Sequence, residues 1–113
     1  MNKYIGNLDG ENWKEICDYP NYLISSFGRV MNKRTKRLLK SYADNAGGYL
    51  CVNLWKNNKG TTFRVHKLVY MNFTNDFDLE GKVINHIDGD KTNNNINNLE
   101  KVSYTTNNLH AIY

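Results

Sequence analysis

The run Tyr49-Leu50-Cys51-Val52-Asn53-Leu54-Trp55 constrains this chain more than any other stretch. Leu50, Val52 and Leu54 recur at every second position, the period of a strand with one face against a core. Asn57-Asn58-Lys59-Gly60 supplies turn residues, and Thr61-Thr62-Phe63-Arg64-Val65 returns as a partner strand. The period then changes. From His66 to Phe73, Leu68, Val69 and Phe73 fall on one side of a helix of about two turns.

The flanking segments are shorter and richer in turns. Residues 1–12 read as a polar lead-in. Trp13-Lys14-Glu15-Ile16 precedes Tyr19-Pro20-Asn21-Tyr22, where proline and asparagine favour a turn. Tyr22-Leu23-Ile24-Ser25 predicts a short strand, Ser26-Phe27-Gly28-Arg29 a tight turn, and Arg29-Val30-Met31 a returning strand. Asn32 to Lys36 is a further polar turn leading to Arg37-Leu38-Leu39-Lys40, and Asn45-Ala46-Gly47-Gly48 breaks the chain before the main hairpin. Asn75 to Gly81 reads as an acidic, mobile connector. Beyond it come a strand (Val83-Ile84-Asn85-His86-Ile87), a turn (Asp88-Gly89-Asp90), an asparagine-dense loop (Lys91 to Asn98) and a second strand (Leu99-Glu100-Lys101-Val102). Ser103 can then cap a helix running toward Tyr113. The fold class is α+β: a small antiparallel β-rich N-terminal part followed by a strand–loop–strand–helix unit.

Composition narrows the function. With 113 residues, 40% hydrophobic and 12% aromatic, the chain can bury one modest core. No apolar run approaches the ~20 residues of a membrane span, and the start lacks the apolar stretch of a secretory signal. A cytoplasmic protein without a membrane partner is expected. Cys17 and Cys51 have no CxxC spacing, which argues against a zinc ribbon; both read as small buried hydrophobes rather than a disulfide. Trp13, Tyr22, Phe27 and Trp55 read as core rather than as stacking platforms.

Charge is distributed unevenly. Between Phe27 and Lys67 lie ten basic residues and one acid, Asp44, for a local +9, while the flanks together carry −5. Such a split suits a surface that faces a polyanion, although a solvated basic loop would look the same.

Histidine and asparagine concentrate near the C-terminus. His86 follows Asn85 at the end of a strand, and Asn98 closes the loop before the next. Asn107 and His110, three apart, share one face if the last segment is helical. A helix packed across the hairpin would bring Asn85, His86, Asn107 and His110 into one small volume. Phosphodiester hydrolysis needs a base for water and a Lewis acid for developing charge. Neutral imidazole serves as the first near neutral pH, and amide oxygens are hard ligands suited to Mg²⁺ or Mn²⁺. Asp88 and Asp90 could also be read as metal ligands, but their Asp-Gly context favours a tight turn, and no glutamate completes a calcium loop.

The segment Val83-Ile84-Asn85-His86-Ile87-Asp88-Gly89-Asp90-Lys91-Thr92-Asn93-Asn94, with Asn98-Leu99-Glu100-Lys101-Val102-Ser103 and Asn107-Asn108-Leu109-His110-Ala111, resembles the HNH homing-type endonucleases common in phages. Trp13-Lys14-Glu15-Ile16, Tyr22-Leu23-Ile24-Ser25-Ser26-Phe27-Gly28-Arg29-Val30 and Val65-His66-Lys67-Leu68-Val69 are similar to the modular motif often fused to them. The resemblance implies a lead-in over 1–12, a β-rich DNA-binding module with its linking helix over 13–74, and a ββα-metal nuclease motif over 75–113. It implies His86 as general base and Asn98 as the residue that fixes the loop and the His86 ring. Asn85 and Asn107 would be protein ligands of one divalent ion, Mg²⁺ or Mn²⁺, with His110 as a further helix residue near it. The reaction implied is hydrolysis of a DNA phosphodiester to 5′-phosphate and 3′-hydroxyl ends, in the cytoplasm of a host cell if the chain is phage- or mobile-element-encoded. Double-stranded DNA is the expected partner. Lys33, Arg34, Lys36 and Arg37 would contact phosphates, with Arg29, Lys56, Arg64 and Lys67 as further DNA contacts. His66 is read as structural, with a phosphate contact as its other role. One site per chain predicts nicking by a monomer, or double-strand cleavage by a dimer assembled on DNA. The alternative from another class is a non-catalytic DNA-binding module, a decayed or truncated nuclease that keeps the fold.

Overall fold

Three small antiparallel sheets and one helix share a single core in the computed structural model, which describes residues 6–103. β1 (Trp13–Ile16), β2 (Tyr19–Ser25) and β3 (Val30–Asn32) make the first sheet, in that order. The turn anticipated at Tyr19–Tyr22 falls earlier, at Cys17 and Asp18, where Asp18 takes φ 68°. Pro20 therefore sits inside β2. It is tolerated because β3 begins to pair only at Tyr22↔Asn32, beyond the missing N–H, and because the β1–β2 register shifts at Glu15/Ile16. Cys17, on that turn, is exposed, contrary to its reading as a buried hydrophobe; Cys51 is buried, and both thiols are free. The Ser26–Arg29 turn is built around Ser25, whose Oγ accepts from Phe27 N (3.1 Å) and Arg29 N (2.9 Å).

The second sheet is β4 (Tyr42–Ala43), β5 (Leu50–Lys56) and β6 (Lys59–Arg64). Its hairpin loop is two residues long, tighter than the four-residue turn read from the sequence. Asn57 and Asn58 both take left-handed φ (54° and 63°), as a type I′ turn demands and asparagine tolerates. Leu54 and Val52 are sealed inside, while Cys51, Asn53 and Trp55 face the other way. Trp55 is 59% exposed and lies flat over Gly60, so it is not a core residue.

β6 runs without a break into α1 (Val65–Thr74), which Asn75 ends in the left-handed conformation (φ 58°). Val65, Leu68 and Val69 face inward, and the buried Asn72 ties the helix to the first sheet by accepting from Cys17 N at 2.9 Å. The acidic connector is clamped to the last strand: Lys101 pairs with Asp76 (2.6 Å) and donates to Asp78 O (3.2 Å). β7 (Lys82–His86) and β8 (Leu99–Ser103) form the third sheet, joined by a loop with a 3₁₀ turn at Ile96–Asn98. Ile16 and Ile24, Val52 and Leu54, Val65 and Val69, and Ile84 and Leu99 belong to one buried cluster, so every sheet contributes. Among the described residues no helix is long and apolar enough to cross a membrane.

Candidate functional site

β7 ends at His86, directly opposite Leu99 of β8, and the loop that follows folds back on itself. That return is made by backbone bonds, such as Ile87 N to Asn98 O at 2.8 Å, and by a set of asparagine and aspartate side chains. Asn98 accepts from Asp88 N through Oδ1 (3.1 Å) and donates through Nδ2 to Asp88 Oδ1 and Asn93 O (both 2.9 Å). Asn95 caps the 3₁₀ turn by accepting from Asn97 N at 2.9 Å. Asp88 also accepts from Asn93 Nδ2 (2.9 Å) and Asp90 N (2.8 Å); the Asn93 bond leads the effects that hold its carboxyl below the usual range. Asp90 accepts from Thr92 N and Oγ1 (2.9 and 2.7 Å), the first cause of its own lowered pKa. Both aspartates are thus engaged in closing the turn.

The His86 ring is buried, and its Nε2 lies 2.7 Å from Asn94 Oδ1. A carbonyl oxygen there requires Nε2 to carry a proton, so that in the neutral form of the ring the lone pair is on Nδ1. Sequence reading gave the ring-fixing role to Asn98, whereas in the structure Asn98 secures the loop and Asn94 touches the ring. Asn94 is one of five asparagines between 93 and 98 and nothing in its local pattern distinguishes it; its near-complete burial does.

His86 lines a pocket together with Tyr49, Arg64, His66, Lys67, Asn85 and Lys91. Tyr49 stacks on His66 (centroids 5.0 Å) and lies 6.0 Å from His86, while the two imidazoles are 4.9 Å apart. Arg64 and Lys91 sit over the Tyr49 ring at 4.5 and 4.8 Å, and Arg64 is held by Asp44 at 2.9 Å. Burial, followed by the nearby His86, Lys67 and Arg64, pushes the His66 pKa down to about 3, so His66 is neutral at pH 7. The pocket is a cationic rim around aromatic rings, suited to an anion.

Asn85 is paired across the hairpin with Glu100, and its Nδ2 donates to Glu100 Oε2 at 2.8 Å. That bond leaves Oδ1, a hard oxygen donor, for another partner. Among the described residues no cluster of three or more His, Cys, Asp or Glu forms a metal cage. The donor chemistry fits a hard divalent ion held by few protein oxygens, with phosphate and water completing its shell. Asn107, His110 and the expected last helix lie outside the described residues.

The other basic residues fall into two groups. Arg34, Lys36 and Arg37 project from the exposed turn after β3, which Asn32 organises by accepting from Arg34 N and Thr35 N (both 3.0 Å). Lys33 pairs with Glu15 beside that turn, and Lys56 donates to Asp18 O at 2.8 Å. Arg29 stands apart. Its Nε donates to Glu11 Oε2 (2.8 Å), its Nη2 to Glu11 Oε1 and to Gly6 O (2.8 Å), and the Glu11 side chain is fully buried. Its guanidinium is therefore engaged inside the fold rather than facing outward for a phosphate.

A strand ending in Asn-His, an asparagine-tied loop returning to a second strand, and a cationic pocket at the histidine lie together at one end of the third sheet. Residues 63–109 match the HNH endonuclease family and residues 11–55 match the NUMOD4 motif. Together the two matches span 11–109, so the chain is similar to HNH homing endonucleases over nearly all of its described length. It is 45% identical over 100 residues to an HNH endonuclease of Acanthamoeba polyphaga mimivirus, covering 88% of this chain and 29% of that protein. It is 38% identical over 96 residues to the DNA endonuclease I-HmuI of Bacillus phage SP01, covering 84% of this chain and 54% of that one. A solved structure describing DNA binding and cleavage by I-HmuI superposes with a TM-score of 0.80 at 35% identity, over 89% of this chain and 57% of that chain. The chain thus spans about half the length, or less, of the relatives it matches.

Proposed function

We propose that this chain is a divalent-metal-dependent DNA endonuclease in which His86 is the general base. The observation that carries the reading is the His86 ring at the cationic pocket, with Nε2 occupied by Asn94 and Nδ1 left to accept a proton. Nδ1 takes a proton from water, the water oxygen bonds to phosphorus, and the bond from phosphorus to the 3′ oxygen breaks, that oxygen leaving with the electron pair and taking up a proton from solvent. Asn85 Oδ1, with Asn107 from the following segment, would hold the metal, and His110 would stand nearby. When bound, that ion supplies Lewis-acid stabilisation of the negative charge that builds up on the phosphate. Arg64, Lys67 and Lys91 hold the phosphate from the rim, and neutral His66 keeps the base flanked by an uncharged ring. Asn98 keeps the loop closed.

Residues 13–74 serve as the DNA grip and 75–113 as the nuclease motif. The turn carrying Arg34, Lys36 and Arg37, with Lys33 and Lys56 beside it, supplies largely sequence-independent phosphate contacts. One site per chain cuts one strand, so the product is a nick unless two copies assemble on DNA. The test is cleavage of supercoiled plasmid in Mg²⁺, Mn²⁺ and EDTA, with His86→Ala beside the wild type. Metal-dependent nicking that falls roughly 10²–10⁴-fold in His86→Ala, with DNA binding retained, is expected. Tight binding with no cleavage in any metal would instead identify a non-catalytic DNA-binding module.

A further inference from the structure

The side chain that holds His86 is itself held from the far end of the sequence. Asn94 is 3% exposed, and its amide oxygen meets His86 Nε2 at 2.7 Å. On its other side lies Gly28, in the turn between β2 and β3. A Cβ placed on Gly28 would stand 2.8 Å from Asn94 Cβ and 3.4 Å from Asn94 O, and Gly28 takes φ +91°. Two residues along each segment from this point, Ile96 N donates to Ser26 O at 2.8 Å. The loop from 94 to 96 is therefore moulded on the turn from 26 to 28.

We infer that Asn94 is the positioning residue for His86 and that the Ser26–Gly28 turn is the part of the molecule that keeps Asn94 in place. The inference rests on the reading of His86 as the base. An amide oxygen at Nε2 selects the tautomer with Nδ1 free, the one in which the nitrogen not held by Asn94 can accept a proton from water. A side chain at position 28 would meet Asn94 at Cβ and carbonyl, not at a flexible tip. Relief then requires the Asn94 backbone to move, and the amide oxygen moves with it. Gly28 lies in the stretch matching NUMOD4 and Asn94 in the stretch matching the HNH family. The nuclease site is thus completed by the neighbouring motif, which acts as more than a DNA grip.

The experiment reads the tautomer of His86 directly, by long-range ¹H–¹⁵N correlation on metal-free, histidine-labelled protein at a pH of about 8, where an ordinary imidazole is neutral. The His86→Ala spectrum gives the assignment. Wild type shows Nε2 protonated and Nδ1 bare. Asn94→Ala and Gly28→Ala show a mixture of tautomers, whereas Asn94→Asp, which keeps an acceptor, restores the wild-type pattern. Gly81→Ala is the control for backbone strain alone, since Gly81 also has positive φ (+68°) but nothing within 4 Å of the added carbon; it keeps the wild-type pattern. In plasmid cleavage, Asn94→Ala lowers kcat up to about 10²-fold with the half-saturating DNA concentration unchanged, the loss expected of a misplaced base. A wild-type His86 protonated on Nδ1, or an Asn94→Ala protein that keeps the wild-type tautomer, overturns the inference. So does an Asn94→Ala protein that loses the tautomer yet cleaves at the wild-type rate. A wild type that cleaves nothing while its tautomer still depends on Asn94 would sink the nuclease reading and leave the positioning contact standing.

Discussion

Replacing Glu11 with glutamine tests how much of the first sheet depends on one buried ion pair. The Glu11 side chain has no exposed surface and the Arg29 side chain is 18% exposed. The carboxylate accepts from Arg29 through both oxygens and from Leu8 N at 3.0 Å. Glutamine keeps one oxygen but sets an NH₂ group against a guanidinium donor. A charge-assisted hydrogen bond disappears, and Arg29 keeps its charge without a counter-ion. Removing one partner of a buried pair costs about 3–5 kcal/mol. The residual exposure of Arg29 and the retained oxygen put this case at the lower end, about 3 kcal/mol. Urea unfolding followed by far-UV circular dichroism at pH 7 would show the midpoint falling by roughly 2 M, for a slope of about 1.5 kcal/mol/M. Acid supplies an independent check. Burial pushes the Glu11 pKa up, but the Arg29 hydrogen bond and the further contacts outweigh it, and the net result lies below the ordinary value. A depressed carboxyl contributes stability in full above its unfolded pKa, about 4.3, and loses it as pH falls through the folded value. The gap between wild type and Glu11→Gln should therefore shrink below a pH of about 4. Equal midpoints at pH 7, or an undiminished gap at a pH of about 3, would refute the reasoning.

Three further outcomes are expected. Leu54→Ala empties a site with no exposed surface and should cost about 3 kcal/mol, read from the same urea midpoint. His66 is held neutral by burial, with a folded pKa of about 3 against an unfolded value of about 6.5. The unfolded chain thus binds the extra proton as pH falls from about 6.5 toward 3, and stability declines over that window. His66→Gln should lose less stability than wild type between pH 7 and a pH of about 5. Changing Arg34, Lys36 and Arg37 together to glutamine should reduce the slope of log affinity against log salt for duplex DNA by roughly 2–3, about 0.9 for each phosphate no longer neutralised, as read by fluorescence anisotropy.

How much was legible in the sequence follows from the range of the forces involved. The β5–β6 hairpin and α1 were readable because their apolar positions repeat at fixed local periods. The Asn85-His86 strand end was readable from the local apolar pattern, whereas the loop-fixing role of Asn98 came with the family resemblance. The partners of single side chains were not. Asn94 is chosen over its asparagine neighbours by Gly28, 66 positions away, and Arg29 is turned inward by Glu11 from the lead-in. Trp55 reads as core by residue type, yet the strand period places it on the outer face, where Gly60 gives the indole room to lie flat. Pro20 reads as a turn residue, but a strand tolerates it because one neighbour starts late.

The placement of the two tryptophans gives the chain a built-in pair of optical probes. Trp13 donates to Asn7 Oδ1 at 2.8 Å and lies 5.4 Å from the Arg29 guanidinium, so its emission reports on the packing of the first sheet. Trp55 already faces water in the folded chain and changes colour only when something covers the outer face of β5 and β6. A Trp13→Phe protein, excited at the red edge where tyrosine does not absorb, therefore carries a single emitting tryptophan that responds to whatever settles on that face. Occupancy of the surface can be titrated by its own light, without a label on either partner.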